Sequence, residues 1–254
     1  MRVLLSVILV ACLAVLRNAA APSTTVQSPD AGVHNVNLST ILMAVGTPLC
    51  MRRCVGRLAG TTKKMISFEN TTQRLRDMCE AYNATNSCLA KKIGCQPRKV
   101  FEVVTSGMQY TCMKKRQSFE RVESCLEGKI DTVLKGCDAS CHLRANLSAF
   151  SSNTKVNLAA TIGGNLFMVA ENLEGFCGAA RCMLPCVTER ANSVCPLSGW
   201  LMLDAVLQPF DAAAAFFAKS PPLVQQLVRE KLSTRCHFLF SKASLQKMRK
   251  GDFQ

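Results

Sequence analysis

The sequence predicts an all-α fold, a disulfide-stapled helical bundle, with a division into two helical halves left open. Three observations predict it. Apolar residues recur at spacings of three and four along most of the chain, the period of an amphipathic helix, and no comparable run alternates with period two. The chain holds 15 cysteines; one falls in an apolar leader, and the other fourteen are an even number. Several of these come as Cys-x3-Cys doublets, at Cys50/Cys54, Cys137/Cys141 and Cys182/Cys186, which places both thiols of a doublet on one helix face. Two such helices laid antiparallel can be joined by two bridges, fixing their separation and their rotation.

The first element in order is the leader. Met-Arg precedes an apolar run from Val3 to Leu16 and then the small residues Ala19, Ala20 and Ala21, the layout of a secretory signal peptide. The run is too short for the roughly 20 residues of a membrane span, so residues 1–20 are read as a signal, cut near Ala20. Secretion sends the remaining cysteines through an oxidising compartment, where seven disulfides are expected. They would use Cys50, Cys54, Cys79, Cys88, Cys95, Cys112, Cys125, Cys137, Cys141, Cys177, Cys182, Cys186, Cys195 and Cys236. Their connectivity does not follow from sequence. No cofactor is expected, and His34, His142 and His237 are too scattered for a zinc site.

Residues 21–46 are polar and rich in Pro, Ser and Thr in their first half, and read as a flexible N-terminal segment. Residues 47–142 read as a cysteine-rich helical domain. Thr47-Pro48 has the form of a cap with proline at the first helical position, opening a helix with Cys50, Cys54 and Leu58. Leu75, Met78, Cys79 and Tyr82 mark a second helix, and Val100, Val104, Met108 and Cys112 a third. Phe119, Val122, Cys125 and Leu126 mark another, then Ile130, Val133, Cys137 and Cys141, with Gly128 and Gly136 as breaks. Residues 143–155 lack a periodic apolar face and are read as a linker. Residues 156–240 form the second cysteine-rich half. There Leu158, Ile162, Leu166, Val169 and Leu173 keep helical spacing across Gly163-Gly164. Pro185 is expected to kink or divide the helix of the cysteine stretch. The segment from Trp200 to Phe217 buries Leu203, Val206, Leu207 and Phe210, and Asp204 and Pro209 argue against its spanning a membrane. Val224, Val228, Leu232 and Cys236 close the half, and residues 241–254 are a basic tail.

The formal charge is +14 at pH 7, or +12 once Arg2 and Arg17 leave with the signal. It is spread over short clusters, including Arg52-Arg53, Lys63-Lys64 and Lys114-Lys115-Arg116, as on a solvated secreted surface or one attracted to polyanions. Nucleic acid is not expected as a partner: aromatic residues make up 6% of the chain and no stacking motif accompanies the basic pairs. Signatures of hydrolases, zinc proteases and phosphate-binding loops are absent. His142 and His237, each following a cysteine, are the raw material for an acid–base pair, but neither stands in a catalytic motif. Asn37-Leu-Ser, Asn70-Thr-Thr, Asn83-Ala-Thr and Asn146-Leu-Ser fit the acceptor rule for N-glycosylation. Asn37 and Asn146 sit in the segments read as flexible and are favoured.

Gly107-Met-Gln-Tyr110-Thr-Cys112, Phe119, Cys125 and Cys137-x3-Cys141 together resemble the chondroitin proteoglycan 4 domain of nematode secreted proteins. Pro48-Leu-Cys50-Met-Arg-Arg-Cys54 and Cys79-x2-Tyr82-x5-Cys88-x6-Cys95 are similar to its opening. Cys182-x3-Cys186-x8-Cys195, Ser198-Gly199-Trp200, Gln208-Pro209-Phe210 and Cys236-His-Phe-Leu are similar to its longer members. The resemblance implies an extracellular, helical, disulfide-bonded core protein, with chondroitin on Ser-Gly sites in the named member. This sequence holds two Ser-Gly pairs, Ser106-Gly107 and Ser198-Gly199, both within expected core segments and without acidic flanks. The expectation is a secreted non-enzymatic glycoprotein of the extracellular matrix, or an interaction component, with an extracellular protein or glycosaminoglycan as partner. A carrier of an apolar ligand, a binder of host polyanions and a basic hydrolase are the alternatives. An apolar cavity would mark the carrier, a filled core the interaction protein.

Overall fold

The computed structural model describes residues 36–253, apart from 93 and 96–98. The expected signal peptide and most of the N-terminal segment lie outside the described residues. No strand occurs among the described residues, in keeping with the period of the apolar runs.

Helices α1 (Leu38–Ala44), α2 (Arg52–Met65) and α3 (Thr71–Ala90) open the chain. The 38–44 stretch, read as flexible, is helical because Asn37 caps it by accepting from the Thr40 N–H at 3.2 Å, and Leu38, Ile41 and Ala44 are buried. The Thr47-Pro48 signal is realised differently: Pro48 precedes a 3₁₀ turn at Leu49–Met51, and α2 follows. The expected third helix is broken into α4 (Lys99–Val104), α5 (Ser106–Gln109) and a π turn at Tyr110–Lys114.

Helices α6 (Arg116–Leu126) and α7 (Ile130–Cys141) come next. Gly128 separates them with φ +70, whereas Gly136 lies inside α7, under Arg190, rather than ending it. The segment read as a linker is helix α8 (Leu143–Ser152), with Leu143, Leu147 and Phe150 buried. Its cap comes from the previous helix: Asp138 Oδ1 accepts from the Arg144 N–H at 2.9 Å across a left-handed corner at His142. The helical spacing across Gly163-Gly164 is not one helix. Both glycines take positive φ and divide it into α9 (Thr154–Thr161) and α10 (Leu166–Ala170), each capped by an asparagine. Leu158 and Ile162, counted into the apolar face, point to solvent.

Helix α11 (Glu174–Val194) runs unbroken through Pro185, and α12 (Ser198–Phe217) through Pro209. Helix α12 is long and apolar enough to cross a membrane by length and composition, so Asp204 and Pro209 do not disqualify it as expected, but half of it is buried inside the protein. Helix α13 (Pro222–Lys231), a 3₁₀ segment (Thr234–Phe240) and α14 (Lys242–Arg249) complete the chain. The expected basic tail thus includes a helix that buries Leu245 and Met248.

The buried side chains form two clusters. The smaller joins α2, α3, α4 and α5 to Ala213, Phe217 and Val228, with Tyr82 and Phe101 stacked at 6.5 Å. The larger gathers α1 and α7 to α12 with the C-terminal segments. Helix α12 enters both, so the two cores share one beam, and their division does not follow residues 143–155. All fourteen cysteines described are paired. Cys50–Cys95, Cys54–Cys88 and Cys79–Cys112 hold the smaller core. Cys125–Cys195, Cys137–Cys186 and Cys141–Cys182 cross the 143–155 segment, and Cys177–Cys236 ties the C-terminus. Doublets 137/141 and 182/186 run antiparallel, so two bridges one turn apart fix α7 against α11.

Candidate functional site

The two Ser-Gly dipeptides sit where α12 is crossed by its neighbours. Pro209 has no N–H, so it cannot bond the Ala205 carbonyl one turn earlier. That carbonyl faces Gly107, where an added Cβ would lie 2.7 Å from the Ala205 oxygen and 3.5 Å from the Pro209 ring. Gly107 therefore lets α5 close on the gap that proline opens. Beside it, Ser106 Oγ donates to the Val103 carbonyl at 2.9 Å. At the second site a Cβ on Gly199 would fall 2.0 Å from the Thr188 oxygen, so only glycine permits the α11–α12 corner. The Gly199 N–H donates to Asn192 Oδ1 at 2.9 Å. Ser198 has no exposed surface, and its hydroxyl lies 2.7 Å from the Cys195 carbonyl and 2.9 Å from that of Ala191.

Between these crossings lies a polar cluster that sequence reasoning did not find. Tyr110 donates to Asp204 Oδ2 at 2.5 Å. Arg249, from α14, donates to Asp204 Oδ1 at 2.7 Å and to Asp211 Oδ2. Burial, then the hydrogen bond to Asp204 and its charge, push the Tyr110 phenol above its ordinary range, against the opposing charge of Arg249. For Arg249, burial works against the charged form, but Asp211 and Asp204 outweigh it and hold the guanidinium above its usual range. The signal in sequence was Asp204 inside an apolar run; its partners are 94 and 45 residues away. With a neutral phenol and a paired guanidinium, the cluster locks α14 onto α12.

The sequons are placed unequally. Asn37, Asn70 and Asn83 are exposed, but Thr85 of the Asn83 sequon is buried, its hydroxyl donating to Ala81 O at 2.7 Å. Asn146, favoured as flexible, lies on α8. Its Nδ2 donates to the His142 carbonyl at 2.8 Å, and its Oδ1 lies 2.5 Å from where a Cβ on Gly175 would be. His142 is exposed at the α7–α8 corner. A ring nitrogen of His237 meets the Leu232 carbonyl at 3.2 Å, and no bond joins the two histidines. No group of three His, Cys, Asp or Glu with metal-site geometry occurs among the described residues.

An apolar cavity between Met65, Leu75, Phe119, Ile130 and Met202 measures about 50 Å³, far below the several hundred of a ligand pocket. A groove of about 340 Å³ beside the Cys79–Cys112 bridge is lined in part by Arg76, Glu80, Arg116, Glu120 and Glu123, so it suits no lipid tail.

Fold and site together define a disulfide-framed, all-helical protein whose Ser-Gly dipeptides are packing contacts. The family model described as chondroitin proteoglycan 4 matches residues 39–254, and the chain belongs to that family. It is similar to "Chondroitin proteoglycan 4" of Caenorhabditis briggsae, 22% identical over 254 residues, covering 79% of this chain and 37% of the relative. The protein of the same name from Caenorhabditis elegans is 23% identical over 256 residues, covering 79% and 32%. The chain thus spans about a third of the length of these curated relatives. No solved structure matches it.

Proposed function

We propose that this chain is a secreted, non-enzymatic glycoprotein, an extracellular matrix or interaction component, that carries no chondroitin on its own Ser-Gly dipeptides. The observation that carries the reading is Ser198-Gly199: a hydroxyl without exposed surface and a glycine pressed on a neighbouring carbonyl. A glycosyltransferase needs a reachable serine on extended backbone, and a chain attached there would have to open the α11–α12 corner. Ser106 is half-buried on a short helix whose glycine fills the Pro209 gap. Seven bridges among the described cysteines suit an oxidising exterior. The test is chondroitinase digestion of protein secreted by its native cells, followed by mass under denaturing conditions. The mass should not change. A large enzyme-dependent drop, abolished by Ser106→Ala or Ser198→Ala in protein that still secretes, would overturn the proposal.

A further inference from the structure

Helix α2 carries five basic residues, Arg52, Arg53, Arg57, Lys63 and Lys64, and no acidic one. All five are exposed, and none has an ion pair among the described residues. Of the carboxylates that follow α2 in the chain, Glu69 is engaged by Arg74 at 3.3 Å and Asp77 by Gln73 at 3.0 Å. Each residue turns an α-helix by about 100°, which puts Arg52 and Lys63 in one row and Arg53, Lys64 and Arg57 in a second. Gly56 and Gly60 fall between the rows, exposed, with nothing within 4 Å of an added Cβ. The face is therefore a shallow trough about 18 Å long, at 1.5 Å per residue, railed by cations on both sides.

Neither feature serves the helix. Exposed glycines inside a helix weaken it relative to alanine, and here no neighbour needs the space. Arg52 and Arg53 stand at the positive end of the helix dipole with no acidic residue in the first turn, where cations are unfavourable. Lys63 and Lys64 alone are well placed for the dipole. A local cost without a packing return marks a surface kept for a ligand.

We infer that this face binds a linear sulfated glycan, its anionic groups meeting the two cation rows and its sugar backbone lying over the glycines. The inference goes beyond the proposed function and does not depend on it. Charge complementarity selects a polyanion. A lipid surface is a poorer fit, because the exposed positions of α2 offer no apolar side chain to insert and Leu49, just upstream, stands alone. Nucleic acid is a poorer fit because the face has no aromatic residue for stacking.

The test measures binding of chondroitin sulfate and heparin oligosaccharides to the full secreted chain at about 0.15 M salt, after chondroitinase treatment so that any covalent glycan is removed first. The triple variant Arg53→Gln, Arg57→Gln, Lys64→Gln should weaken binding by about tenfold or more, a change worth ~1.4 kcal/mol. The charge-matched control Lys114→Gln, Lys115→Gln, Arg121→Gln should stay within about twofold. Thermal melts of both variants verify folding, and Gly56→Gln with Gly60→Gln, which fills the trough without changing charge, should weaken binding while preserving the fold. Equal loss in both triple variants, no binding by the parent chain, or tighter binding to phosphatidylserine vesicles than to either glycan would overturn the inference.

Discussion

At the scale of the residue, the fold depends most on glycines and capped polar groups that an apolar pattern does not display. Gly199→Ala would force a Cβ to within 2.0 Å of the Thr188 oxygen, and backbone cannot swing aside as a side chain can. We expect a loss of about 3 kcal/mol, read as a lower midpoint in denaturant; an unchanged midpoint would refute the corner packing. Asp131 gives a pH-dependent case. Burial raises its carboxyl above 3.8, against the Thr71 hydrogen bond and nearby cations. Its contribution is whole below the unfolded pKa and is lost as pH rises through the folded one. Asp131→Asn should therefore stabilise the protein at pH 7 and lose that advantage near pH 3, in melts at the two pH values. Asn146 is the sequon whose use would disturb packing, so Asn146→Gln should leave the glycan mass unaltered. Exposure of an asparagine was not legible in sequence, because the residues packed on Asn146 come from α11.

At the scale of the element, helical character was legible and helix ends were not. The buried faces of α7 and α12 follow the spacing of Ile130, Val133 and Cys137 and of Leu203, Val206 and Phe210. Ends failed where the deciding group was remote. Helix α8 was hidden because its cap, Asp138, belongs to α7, and α14 because its anchors, Asp204 and Asp211, lie on α12. Pro185 misled in the other direction: it was expected to kink or divide its helix, and α11 is not divided there. Arg249→Ala should release α14 and leave Asp204 and Asp211 facing each other without a cation. Both carboxylates are about a third exposed, so the loss should be about 1–2 kcal/mol. Adding Asp204→Asn to Arg249→Ala should recover part of it, and strict additivity of the two would show that they do not interact.

At the scale of the whole molecule, the number of cysteines was legible and their pairing was not, since pairing depends on how helices cross. The bridges close loops of 33 to 70 residues, and each contributes about 2–4 kcal/mol, mainly by restricting the unfolded chain. The two cores are bound separately, yet α12 runs through both, so reduction should unfold them together rather than in two steps; two resolved transitions would argue for independent halves. Paired cysteines and packed Ser-Gly corners form the framework that holds the helices. Its most direct measurement is peptide mapping of the unreduced protein by mass spectrometry. Cys137 should be found with Cys186 and Cys141 with Cys182, with five further pairs and no free thiol. Cys137 bridged to Cys141, or Cys182 to Cys186, would contradict it.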